Sequence, residues 1–204
     1  MVTNAYISLG DDVNVVPADT HKEWNSLQVY AGGSSVALDD DSNVSTGWTM
    51  TIDASFPADG EGGSNTPAQG TGDLIWVDED VIGEAYQFMT TPGNVAKYDF
   101  TGLNNGKTYK LELFSYRSSA GSRIGEFSVD GFSSTQEIDP VNNLDTVVTF
   151  SGISPSSGEI TLSFRHKSGE DNAYLNAIWI QEEDAGGGLS IPVAYHHYSK
   201  NIGQ

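Results

Sequence analysis

Arg117 and Arg123 stand at the two ends of the stretch Ser118-Ser119-Ala120-Gly121-Ser122, whose composition suits a hairpin-type connection. A hairpin brings its ends together, so the two guanidinium groups should lie near each other at one edge of the fold. A guanidinium is a rigid planar fork of donors that matches carboxylates and hydroxyl-rich ligands. Sugar recognition also needs aromatic faces for CH surfaces, and Tyr116, Trp48 and Trp76 are the candidates. Each residue has a structural alternative. Trp48 falls on the apolar face of its strand, and the arginines have Glu126 and Asp130 within reach as ion-pair partners.

Asp39, Asp40, Asp41 and Asn43 crowd hard oxygen ligands into one turn, the donor type calcium prefers. Their spacing is not that of an EF-hand loop, and a solvated acidic turn is the plain alternative. Of the four histidines, His196 and His197 are adjacent and would point to opposite faces of an extended chain, which does not favour one shared metal. His21 and His166 are isolated. Catalytic patterns are missing: there is no Gly-x-Ser-x-Gly, no His-Glu-x-x-His and no cysteine. Paired carboxylates could occur anywhere among 28 acidic residues, and no spacing singles one pair out.

The chain has 204 residues, 28 Asp and Glu against 9 Lys and Arg, and a formal net charge of −19. That charge argues against nucleic acid and against anionic membrane surfaces, because phosphate contacts require a basic face. It favours solubility, cation binding or a salty medium. With no cysteine, neither a disulfide framework nor a thiolate metal site is available. The start, MVTNAYISLGDD, lacks the basic region and apolar run of a signal peptide, and no segment approaches a transmembrane length. Two origins follow as expectations: a chain made and assembled in the cytoplasm, or a domain of a longer secreted parent.

Twenty-three glycines and short apolar alternations between Gly, Asn, Asp and Ser turns read as all-β. Tyr109, Leu111 and Leu113 alternate with Thr108, Lys110 and Glu112, a period of two that marks a strand with one buried face. Trp48, Met50 and Ile52 do the same. Phe127 and Val129 resume the alternation after the arginine loop. Further strands are expected at 5–9, 13–16, 24–30, 146–150, 160–164 and 174–180, with 81–89 ambiguous between helix and strand. Residues 57–72 are a Gly- and Pro-rich loop too polar to pack a core. Strand spacing near ten residues fits a sandwich.

The segment Tyr98 to Gly131, with its Gly-Leu-Asn turn, Lys107-Thr108-Tyr109, Arg117, Arg123 and Glu126-Phe127-Ser128-Val129-Asp130-Gly131, resembles a galactose-binding-like β-sandwich. Trp24-Asn25, Asn43-Val44-Ser45-Thr46-Gly47-Trp48 and Tyr174-Leu175-Asn176-Ala177-Ile178-Trp179-Ile180 resemble further parts of that family, so the resemblance covers Trp24 to Ile180. It implies a jelly-roll fold of the kind attached to secreted polysaccharide-active proteins and found in phage particles. It also raises the expectation of a structural calcium. Leu9-Gly10-Asp11-Asp12 is similar to the Gly-Asp-Ser opening of esterases that carry such sandwiches, but Asp12 stands where their serine nucleophile would be.

The expected organisation is a lead-in at 1–23, a sandwich at 24–181, an acidic Gly-rich linker at 182–188 and a C-terminal arm at 189–204. Ile191, Val193, Tyr195, His196, His197 and Tyr198 make that arm more apolar than a solvated terminus, so it should dock on another chain. The first functional reading is a non-enzymatic virion surface subunit, of decoration or fibre type, with other virion subunits or further copies of itself as partners and glycan binding as an added property. The alternative is a carbohydrate-binding module of a secreted polysaccharide-degrading protein.

Overall fold

The computed structural model describes residues 3–9, 24–26, 33–52, 87–89, 93–118, 121 and 123–183. The expectations at 13–16 and 57–72, Trp76, residues 184–188 of the linker and the arm at 189–204 lie outside these residues. Within them every regular element is a strand: β1 (Asn4–Ser8), β2 (Trp24–Ser26), β3 (Ser35–Asp39), β4 (Ser45–Ile52), β5 (Gln87–Met89), β6 (Ala96–Thr101), β7 (Thr108–Phe114), β8 (Gly125–Val129), β9 (Gln136–Ile138), β10 (Val148–Ile153), β11 (Ile160–His166), β12 (Ala173–Leu175) and β13 (Ala177–Glu183).

They form an all-β jelly-roll sandwich. One sheet has the order β10-β7-β13-β1-β2, the other β3-β4-β6-β11-β8-β9, and β12 pairs with β5 in a short ribbon. All pairs are antiparallel except β1 with β2. The alternation read from the sequence explains the core. Ala5, Ile180, Leu111 and Phe150 lie side by side across four strands of the first sheet, followed by Ile7, Ile178, Leu113 and Val148. In the second sheet Ile52, Tyr98, Leu162 and Val129 form a matching row. All of these are buried in one cluster, and full burial of each large apolar side chain is worth about 1.5–3 kcal/mol.

Three boundaries differ from the sequence reading. The expected lead-in supplies β1, which sits inside the first sheet between β13 and β2. At the other boundary, Glu182 and Glu183 belong to β13 rather than to the linker. Lys107 pairs with Glu182 at 3.3 Å, and the Glu183 carboxylate accepts from Ser151 Oγ (2.9 Å) and Gly152 N (2.8 Å). Finally, the single strand expected at 174–180 is two strands in different sheets, broken at Asn176. There the Asn176 amide N–H donates to Phe114 O, its carbonyl accepts from Leu9 N, and its side-chain Oδ1 accepts from Tyr116 N at 2.7 Å. A fully buried asparagine with these bonds locks the crossing point between the sheets.

Burial raises the phenols of three tyrosines. Tyr6 is pushed up to about 12, by burial first and then by the Asp41 and Glu112 carboxylates. Tyr98, fully buried and bonded to Gln87 Oε1 at 2.5 Å, is held well above its ordinary value by burial, and Tyr109 is raised chiefly by burial. A phenol with a raised folded-state value stays protonated where the unfolded chain has lost its proton. The stabilisation is therefore complete below about pH 10, the ordinary phenol value, and is lost as pH rises through about 12 for Tyr6. Thermal melts across this range should show a falling midpoint, and the Tyr98 phenolate absorbance should appear only with unfolding. A flat midpoint together with ordinary titration of all tyrosines would contradict these burials.

Candidate functional site

The strand registers place four connections at one end of the sandwich. Ala96 at the start of β6 opposes Phe164, Gly125 at the start of β8 opposes His166, and Ile138 at the end of β9 opposes Gly125. The β5–β6, β7–β8, β9–β10 and β11–β12 connections therefore gather there. Buried amides and backbone bonds brace them. Asn143 Nδ2 donates to Ser115 O (3.0 Å) and Thr146 O (2.8 Å), and Ser115 Oγ donates to Tyr174 O (2.6 Å). Lys167 N donates to Ile124 O, joining the β11–β12 turn to β8.

Arg117 and Arg123 both reach this end, but not through the expected hairpin: β7 lies in the first sheet and β8 in the second, so their connection crosses between the sheets. The Arg117 backbone is held by Pro140 O (2.7 Å) and by the Asn142 amide (2.9 Å). Both guanidinium groups face the ring of Tyr174, with Cζ at 5.3 Å from the ring centroid for Arg117 and 5.4 Å for Arg123, within cation–π range. Arg123 Nη1 also donates to the Tyr174 hydroxyl. The Tyr174 ring stacks in turn on Phe88, centroids 5.8 Å apart and planes 24° from parallel. Both residues are partly exposed, although Arg117 Nε and Nη1 are themselves buried.

Four of the nine Lys and Arg residues cluster here: Arg117, Arg123, Arg165 and Lys167. Arg165 is matched by Glu126 and Lys167 by Glu137, each at 2.6 Å. Glu126, offered by the structural alternative as a partner of the loop arginines, is thus taken by Arg165. Against an overall charge of −19, the Arg117–Arg123 pair is a local positive spot presented on an aromatic base.

The other candidates do not join it. Trp48 is a core residue, 4% exposed, packed edge-on against Tyr109 with centroids 5.6 Å apart. Its strand's apolar face points inward, so it offers no sugar platform. Tyr116 is 5% exposed, its backbone fixed by Asn176. Trp76 lies outside the described residues.

The acidic turn sits at the opposite end, because Thr49 near the start of β4 opposes Thr101 at the end of β6. There Asp40 Oδ1 accepts from Ser42 N (2.9 Å) and Val44 N (3.0 Å), the Asp40 N–H donates to Val44 O, and Asn43 adopts φ 58°. These bonds turn the Asp40 carboxylate onto its own backbone. Among the described residues no three His, Asp or Glu groups converge as metal ligands would; the calcium expected at Asp39, Asp40, Asp41 and Asn43 would also draw on amide and backbone oxygens.

Sequence reading gave Tyr174 no place beside the arginines. The only sign of Tyr174 as a base for the arginines was an aromatic at a strand start after an acidic turn, and nothing in that pattern ties it to a loop fifty residues earlier.

No protein-family model matches the chain, and no curated protein sequence matches it. Solved structures do align with it. Bacteroides uniformis β-glucuronidase 2, covalently bound to cyclophellitol-6-carboxylate aziridine, aligns at 17% identity over 87% of this chain and 17% of that one, with a TM-score of 0.49. This chain thus spans under a fifth of that enzyme's length. A family 35 carbohydrate binding module from Clostridium thermocellum aligns at 16% identity over 59% of this chain and 89% of that one, TM-score 0.33. The CBM36-1 domain of a multidomain xylanase from the hindgut metagenome of Trinervitermes trinervoides aligns at 13% identity over 68% and 98%, TM-score 0.34.

Proposed function

We propose that the protein is a non-enzymatic glycan-binding module whose binding surface is the loop end of the sandwich. The observation that supports this most is the convergence of Arg117 and Arg123 on the Tyr174 ring. Two guanidinium groups on a braced aromatic base, with Arg123 the more accessible fork because Arg117 Nε and Nη1 are buried, can hold a carboxylate and the hydroxyls beside it, which suits acidic polysaccharides such as polyuronates. A secreted, extracellular setting fits such a ligand. The virion reading rested on the missing signal-peptide pattern, the sandwich core, the missing catalytic motifs and the arm at 189–204; the arm lies outside the described residues, and none of the described residues favours a virion subunit over the module.

Native affinity electrophoresis in gels containing polygalacturonate, alginate, xylan or galactan tests the reading. Retardation by the two polyuronates is expected, weakening as salt rises because exposed charge contacts are screened. Equal mobility in all four gels overturns the glycan reading. Retardation by neutral polymers alone overturns the role given to the arginines.

A further inference from the structure

Asn105-Gly106 is the one Asn-Gly step in the chain. It stands in the turn from β6 to β7, and both residues are exposed. That turn leads from the second sheet to the first, and the β10–β11 turn leads back from the first to the second. Two hydrogen bonds clasp these crossovers at the end of the sandwich away from the arginines. Leu103 N donates to Gly158 O at 3.0 Å, and Gly158 N donates to Asn105 Oδ1 at 2.7 Å. A third bond lies within the first turn, where Gly106 N donates to Asn104 Oδ1 at 2.8 Å. Asn104 is itself held: its N–H donates to the Tyr109 hydroxyl (2.9 Å) and its carbonyl accepts from Lys107 N (3.0 Å).

An asparagine side chain is open to attack by the backbone nitrogen of the next residue, once that nitrogen gives up its hydrogen. Glycine permits the close approach because it has no Cβ. A bond forms between Gly106 N and Asn105 Cγ, the Cγ–Nδ2 bond breaks, and the amide nitrogen leaves as ammonia with the hydrogen from Gly106. Water then opens the five-membered imide at one of its two carbonyls. Opening at Cγ gives aspartate. Opening at the main-chain carbonyl gives isoaspartate, whose main chain runs through the former side chain. Two native bonds oppose the first step. The hydrogen that must leave Gly106 N is engaged by Asn104 Oδ1, and the Asn105 amide is fixed on the facing turn by Gly158 N.

We propose that Asn105 is the deamidation site of this protein, that Asn104 sets its rate in the folded state, and that isoaspartate at this position opens the clasp between the two crossovers. Aspartate keeps a carboxylate oxygen where Oδ1 stands, so the bond from Gly158 N survives. Isoaspartate moves one carbon from the side chain into the main chain. The acceptor then no longer reaches Gly158 N while Leu103 N stays on Gly158 O. The proposal is independent of glycan binding.

Incubation of the full chain in mildly alkaline buffer, folded and in urea, tests it, with conversion of amide to acid followed by peptide mass spectrometry and isoaspartate identified by its fragmentation. Conversion at Asn105 ahead of every other asparagine is expected in both states, and more slowly in the folded one. With each folded rate divided by the urea rate of the same variant, Asn104→Ala should react about three- to tenfold faster than the parent, the worth of one hydrogen bond. Asn104→Asp keeps the acceptor and should stay close to the parent. Asn105→Asp should melt like the parent, and aged protein enriched in isoaspartate should melt lower. Equal normalised rates for the parent and Asn104→Ala, earlier conversion at another asparagine, or unchanged melting of the isoaspartate form would each overturn the proposal.

Discussion

Gly102→Ala is expected to destabilise the sandwich by about 2–5 kcal/mol, the sum of a left-handed backbone penalty and overpacking. Gly102 directly follows β6 with φ 81°, and a Cβ there would come within 2.3 Å of the Gly47 carbonyl oxygen. That oxygen belongs to the backbone of the neighbouring β4 strand, so no side chain can swing aside to make room. Gly47→Ala is the control. Its φ is 77°, but a Cβ there meets nothing within 4 Å, so only the conformational cost of about 1–2 kcal/mol applies. Against a typical total of about 5–15 kcal/mol, the first variant should lose a large share of its stability and the second a small one. Urea denaturation of both measures the difference. Equal midpoints would mean that β4 and β6 do not approach each other this closely.

The second large effect is on binding. Arg117→Ala and Arg123→Ala should each reduce affinity for a polyuronate by about 10- to 100-fold, the loss of one charge-assisted contact of about 1.5–3 kcal/mol. The double variant should not be retarded at all. Stability should fall little, because a cation–π contact at a partly exposed site contributes only about 0.5–1 kcal/mol. Arg123→Lys separates charge from geometry: the charge remains, but the fork that reaches both the Tyr174 hydroxyl and a ligand is gone. It should keep salt-sensitive retardation at reduced strength. Alanine variants that migrate like the parent protein would assign the arginines to bracing Tyr174 alone.

These expectations differ in what they owe to local pattern. The faces of β4, β7, β8 and β11 were legible because a strand repeats every two residues, so Trp48, Met50, Ile52, Tyr109, Leu111, Leu113, Phe127 and Val129 had to share a buried side. The hairpin expected between Arg117 and Arg123 is instead a crossover between the two sheets, and what brings the arginines together is the Tyr174 ring. The alternation also warned that Trp48 belongs to the core, but it could not decide between core and platform, because period two does not say which side of a sheet meets water.

The tertiary structure decided everything that depends on partners far away in sequence. Tyr174 lies 51 residues from the arginine it bonds. Asn176 breaks a continuous apolar run only because Phe114, Leu9 and Tyr116 reach it from other strands. β1 becomes an interior strand only once β13 and β2 flank it. Glu170 and His166 line one cavity with Gly93 and Glu126 only once the β11–β12 turn has folded beside them. Side-chain alternation is a property of one strand and is written in neighbouring residues. Sheet order and loop clustering arise from long-range pairing, which a sandwich achieves by joining segments whose local patterns look alike.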